Sequence, residues 1–136
     1  MAAIPGRSQV LTSLESDRMD LESFITEFYR IFFDLSPQVR PLFPTDTGRL
    51  EAKMMATLTH LAEALDSNTR LDAILRKLGD EHRGMQISDA HFESFIQSFI
   101  TALSRTLGPD WNTESHQAWD NFLRFVAKRM NYSAEA

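Results

Sequence analysis

The chain has 136 residues and no cysteine, so neither a disulfide framework nor a thiolate metal site can form. Any metal must be held by histidine, methionine, carboxylate or a prosthetic group. Positive charge is also in deficit. Fourteen Lys and Arg against nineteen Asp and Glu leave a net charge of −5, which gives no support to nucleic-acid binding or to an anionic membrane surface. No apolar run approaches the roughly 20 residues of a membrane span. No signal-peptide pattern opens the chain, and the expected location is the cytoplasm. Repeats, low-complexity tracts and interdomain linkers are missing. No stretch keeps a period of two for long, which argues against strands.

What is present is ordinary for a soluble globular protein: 43% apolar and 24% charged residues. The length suits one domain with one substantial core. Its expected limits are residues 9–131, after a flexible lead-in over 1–8 and before a tail over 132–136. Ten phenylalanines are many for this length and suggest a core lined by flat apolar walls.

Helical periodicity recurs along the chain. Val10, Leu11 and Leu14 indicate a short first helix. Leu21, Phe24, Ile25, Phe28 and Phe32 form the buried stripe of the next, with Tyr29 on the same broad face. Ser36-Pro37 stops it, and Pro37 can open a short turn of helix. Pro41 and Pro44 bracket Leu42-Phe43 in a stiff corner. Thr45-Asp46-Thr47 offers caps for a helix striped by Leu50, Met54, Leu58, Leu61 and Leu65. Asp66-Ser67-Asn68 breaks it. Thr69 is the expected cap of a helix bearing Leu71, Ile74, Leu75 and Leu78, and Gly84 its expected end. Ser88 or Asp89 caps a helix with Phe92, Phe95, Ile96, Phe99, Ile100, Leu103 and Leu107 inward, ended by Gly108-Pro109. Thr113 caps the last, with Trp119, Phe122, Leu123, Val126 and Met130. The fold class is all-α, with about seven helices and short connections.

His82 continues the apolar face of its helix four residues after Leu78. A histidine ending such a stripe points into the core, for a buried hydrogen bond, for catalysis or for a metal. Tyr29 and Phe43 can each be read as core, and Met54 and Met55 as gap-fillers. His60, His91 and His116 read as structural.

Taken together, Phe28-Tyr29, Phe33, Pro37, Leu42-Phe43, Lys53-Met54-Met55, the run Leu75-Arg76-Lys77-Leu78-Gly79-x-x-His82, Ile87, Phe92 and Ala118-Trp119 resemble the bacterial single-domain globins, the kind related to the haem domain of flavohaemoglobins. The resemblance covers roughly residues 9 to 130. It implies a globin fold, a 3-over-3 helical sandwich around one haem b (iron protoporphyrin IX). His82 would be the proximal iron ligand, its other ring nitrogen bonded to a backbone carbonyl near Leu78. Phe43 would wedge the porphyrin, with Leu78, Ile87, Phe92, Phe95 and Val126 as further apolar wall. Lys53 and Arg83 are candidates to meet the propionates. Asp80 and Glu81 precede His82 where relatives often carry basic residues, and solvent exposure is all the sequence offers for that pair.

On the distal side, the register set by Lys53-Met54-Met55 places Leu50 where most globins have His or Gln, with Met54 one turn on. Leucine neither donates a hydrogen bond nor ligates iron, which leaves Tyr29 as the polar group at the sixth site. A shift of three residues would put Lys53 at the gate instead, and Met54 or Tyr29 binding ferric iron is a further reading. A phenol donating to dioxygen contributes about 1–3 kcal/mol. The implied function is reversible binding of dioxygen, with nitric oxide and carbon monoxide as other ligands, and no catalytic residue is assigned. The alternatives are nitric oxide dioxygenation with an external reductase and a haem-based gas sensor. Phe92 stands where flavohaemoglobins commonly have tyrosine, which weakens electron donation to the histidine. No nucleic-acid or membrane partner is expected, and the chain is expected to be a monomer or weak dimer.

Overall fold

The computed structural model describes residues 4–83 and 88–130. These form α1 (Arg7–Leu14), α2 (Leu21–Leu35), a 3-10 segment (Pro37–Leu42), α3 (Gly48–Ala64), α4 (Asn68–His82), α5 (Asp89–Leu107), a short 3-10 turn (Gly108–Asp110) and α6 (Thr113–Met130). Six α-helices and the longer 3-10 segment match the expected count, and no strand occurs among the described residues. Helix α1 starts at Arg7, inside the stretch read as a lead-in, and Ile4 ahead of it is buried. Ile87 and Gly84 lie outside the described residues.

The helix starts follow side-chain capping. Asp20 accepts from the Ser23 amide at 3.2 Å, and Ser88 accepts from the His91 amide at 3.1 Å. Two expected caps move. Ser67, with extended backbone, accepts from the Arg70 amide and caps α4, leaving Thr69 inside the first turn. Asn112 accepts from the Ser115 amide at 2.9 Å and caps α6 ahead of Thr113. A cap needs an extended backbone and an acceptor three residues before a helical amide, and a cluster of Ser, Thr and Asn offers several candidates at once. At α3, Thr47 occupies the cap position, but its hydroxyl donates to Glu51 rather than capping.

Two layers result. Helices α1, α3 and α4 lie over α2, α5 and α6: α3 packs on α4, α5 joins α2 to α6, and across the interface α1 and α4 meet α6 while α2 meets α3. The α2–α5 contact is aromatic. Phe24 and Phe99 meet edge-on at 5.0 Å, and Phe28 meets Phe95 at 5.1 Å and Phe99 at 5.5 Å. The buried Trp119 indole donates to Ser13 Oγ at 3.0 Å, and that hydroxyl donates to the Gln9 carbonyl at 2.8 Å, so the polar atoms between α1 and α6 are satisfied. Helix α6 is approached closely by two glycines. Gly6, at φ 71°, lies against the Ala118 backbone, and Gly79 of α4 lies against the Met130 backbone.

Candidate functional site

The apolar stripes loosen towards one end of the sandwich. On α3, Leu58, Leu61 and Leu65 are buried, whereas Leu50 and Met54 are half-buried against the core. On α4, Leu71 and Leu75 are fully buried while Ile74 and Leu78 are half-buried. On α5 the change falls between Ile96 and Phe99, buried, and Phe92 and Phe95, half-buried. On α6 it falls between Phe122–Leu123 and Val126. The loosened ends adjoin one another. Glu93 of α5 pairs with Arg124 of α6 at 2.8 Å, Gly79 of α4 abuts Met130 of α6, and Lys53 of α3 pairs with Glu81 of α4 at 2.6 Å. Phe95 is 6.1 Å from Phe32 of α2. Each of these four helices therefore presents apolar side chains that are only partly covered, all at one end.

His82 is the last residue of α4 and is half-buried. Its Nδ1 lies 2.6 Å from the Leu78 carbonyl one turn back. A carbonyl can only accept, so Nδ1 carries the proton, and in the neutral ring Nε2 keeps its lone pair. The helix thus fixes the tautomer and the ring direction of a metal-competent nitrogen. Among the described residues, no group of three or more His, Asp or Glu gathers to hold a bare ion. A lone imidazole suits a metal whose remaining ligands come with a prosthetic ring.

Tyr29 is 8% exposed, between Phe28 at 4.8 Å and Phe33 at 5.9 Å, with Phe43 at 6.5 Å. Its hydroxyl has no hydrogen-bond partner among the described residues. Burial, with a smaller contribution from the Glu51 carboxylate, pushes the phenol well above its ordinary value of 10.0, so it stays a neutral donor. Glu51 is a residue that sequence reasoning missed. It accepts from Thr26 of α2 at 2.6 Å and from Thr47 at 3.0 Å, and so fixes the register of α3 against α2. The Thr47-x-x-x-Glu51 spacing was the available signal. Arg40 was missed as well. Its guanidinium donates to the carbonyls of Phe43, Pro44 and Thr45 at 3.3, 3.0 and 3.0 Å and covers the Phe33 ring at 4.8 Å. It thereby clasps the corner that carries Phe43.

The two cations proposed for an anionic ligand edge both have acidic neighbours. Lys53 is exposed and pairs with Glu81, and Arg83 pairs with Asp80. The acidic pair before His82 therefore has specific partners. The Lys53 ammonium is the main influence holding the Glu81 carboxyl below its ordinary 4.5. Of the other histidines, His91 is half-buried beside Phe92 at the start of α5. His60 and His116 are exposed, and His116 lies beside Trp111 at 6.3 Å. A polar surface groove of about 990 Å³ between α1 and the α5–α6 corner, lined by Ser16, Arg18 and Asp110, contains none of the predicted site residues.

The two-layer arrangement of these helices defines an all-α sandwich. The family model described as Globin matches residues 26–130, and the chain belongs to the globin family. It is 30% identical over 118 residues to the anaerobic nitrite reductase NSHB5 of Oryza sativa subsp. indica, covering 82% of this chain and 81% of that one. It is 30% identical over 114 residues to haemoglobin subunit alpha-D of Chloephaga melanoptera (78% and 79% covered) and 27% over 108 residues to haemoglobin subunit zeta of Sus scrofa (75% and 77%). These relatives come from a plant and from vertebrates and do not bear on the expected bacterial branch. The donor set and walls described above fit a haem: one imidazole with its outer nitrogen open, apolar sides, and one unpartnered hydroxyl.

Proposed function

We propose that this chain binds haem b through His82 and holds dioxygen or a similar diatomic gas reversibly, as a bacterial single-domain globin. The observation that carries the reading is the 2.6 Å contact between His82 Nδ1 and the Leu78 carbonyl, which leaves Nε2 as the ligating atom. Haem, when bound, supplies an iron with a position open to a small gas. The rest is the work of the chain. Phe43, held by the Arg40 clasp, with Leu78, Phe92, Phe95 and Val126, provides apolar walls that exclude water from the ring. Leu50 and Met54 face the ligand side without donor or strong ligand, and Tyr29 donates the one hydrogen bond there. A neutral phenol with no partner among the described residues donates to a polar gas more readily than a hydroxyl already committed elsewhere.

The test is the visible spectrum of the purified chain, ferric and after dithionite. A five-coordinate ferrous form is expected for wild type, and loss of most of the haem for His82→Ala. A normal deoxy spectrum in that variant would refute the proximal assignment. A six-coordinate ferrous spectrum without added ligand would count against Leu50 as the gate. The second reading is redox work on nitrogen oxides, supported by Tyr29 as a buried neutral donor and by the name of the rice relative. Reductant-driven turnover of nitrite or nitric oxide above one per haem would favour it over carriage.

A further inference from the structure

We propose that Lys53 and Glu81 form a latch that closes the open end of the α3–α4 hairpin and slows departure of the haem. The inference rests on the haem reading above. Helices α3 and α4 are joined by only three residues, between Ala64 and Asn68. At that joined end the stripes are tightly buried, as Leu65 and Leu71 are. At the other end Leu50 and Met54 on α3 and Leu78 and His82 on α4 are only partly buried, and this is the end where the haem reading puts the ring. Lys53 and Glu81 reach across that open end at 2.6 Å.

The pair is more than two surface charges that happen to meet. The Lys53 side chain is 62% exposed but that of Glu81 only 29%, and Glu81 Oε2 is shut off from solvent with no further hydrogen-bond partner. A carboxylate oxygen in that position needs a cation, and Lys53 supplies it. Lys53 follows Leu50 by three residues and Glu81 directly precedes His82, so one ion pair ties the ligand-side helix to the residue beside the proximal imidazole. The alternative occupant for Lys53 is a haem carboxylate. The two possibilities predict opposite behaviour when Glu81 is neutralised.

The experiment uses the haem-loaded full chain as wild type, Lys53→Met, Glu81→Gln and the charge-exchanged Lys53→Glu/Glu81→Lys. The rate of haem transfer to excess apomyoglobin is followed in the Soret band at low and high salt. Each single variant is expected to lose haem about two- to fivefold faster, as suits a partly exposed pair. The exchanged double variant should return towards wild type, and added salt should accelerate wild type more than either single variant. If Glu81→Gln slows haem loss while Lys53→Met accelerates it, Lys53 serves the haem carboxylates and the latch is overturned. Unchanged rates in both single variants overturn it too. Failure of wild type to take up haem would sink the haem reading instead. Thermal unfolding of the same four chains without haem then decides the contact: non-additive losses support it, and additive ones overturn it.

Discussion

Replacing Tyr29 with phenylalanine separates a hydroxyl kept for a ligand from one kept for the fold. The ring is 8% exposed and packed on three phenylalanines, all contacts that Phe preserves. The hydroxyl has no partner among the described residues, so its removal breaks no hydrogen bond among them. Stability should therefore change by no more than about 0.5 kcal/mol. Dioxygen should leave faster. Loss of one donated hydrogen bond is worth about 1–3 kcal/mol, or about five- to hundredfold, with about tenfold as the central expectation. Carbon monoxide, less polar, should respond less. The assay is stopped-flow replacement of dioxygen by carbon monoxide, beside a thermal melt. A dissociation rate changed less than about twofold, or a melt lowered by several degrees, would refute the reasoning. The shifted phenol adds a pH signature. Its folded value lies above the ordinary 10.0, so the stability it contributes is complete below pH 10.0 and is lost as pH rises above that point. Tyr29→Phe should flatten this alkaline limb.

Three other perturbations have definite outcomes. Ser13→Ala strips the buried Trp119 indole of its acceptor and should destabilise by about 1–3 kcal/mol, read as a lower urea midpoint at unchanged slope. Gly79→Ala would drive a methyl into the Met130 carbonyl, a backbone neighbour that cannot swing aside. A loss of about 1–3 kcal/mol and faster haem release are expected, because α4 carries His82 three residues on; an unchanged melt would show that α6 yields without cost. Glu27 lies between Arg30 and Arg105, whose hydrogen bonds hold its carboxyl down at about 2 against an ordinary 4.5. Its stabilising contribution is full above pH 4.5 and is lost as pH falls towards 2, so Glu27→Gln should remove that part of the acid limb; identical limbs in melts from pH 5 to 2 would exclude it.

The stripes of α2, α3, α4, α5 and α6 were readable because burial imposes a period of 3.6 on apolar residues, and they were enough to indicate an all-α fold, whereas the layered sandwich was expected only from the family resemblance. Helix starts were less legible. Ser67 and Thr69, or Asn112 and Thr113, have nearly equal capping chemistry, and only the backbone conformation selects one. The His82–Leu78 contact could be anticipated, since a residue four back on a helix is within reach of the imidazole. The Arg40 clasp, the Glu51 link to Thr26 and the Lys53–Glu81 pair could not. The first joins a side chain to loop carbonyls and the other two join side chains of different helices, and such contacts leave no periodic trace in the chain.

The deeper ambiguity lies in the apolar residues themselves. Leu58 and Leu50 continue the same stripe of α3, as Leu75 and Leu78 do on α4, and by pattern alone both members of each pair are core. They differ in how far the protein covers them: Leu58 and Leu75 are buried, while Leu50 and Leu78 are only partly buried. Apolar surface left to water forgoes about 25 cal/mol for each Å². A fold that leaves such surface on one helix has a frayed end. A fold that leaves it on α3, α4, α5 and α6 at the same end suits an apolar partner there, which is what the haem reading proposed above supplies. Covering that surface returns the missing burial. Cofactor binding and the final part of folding are then one free-energy change, and haem loss should lower the melting temperature by more than loss of the His82 ligand alone would require.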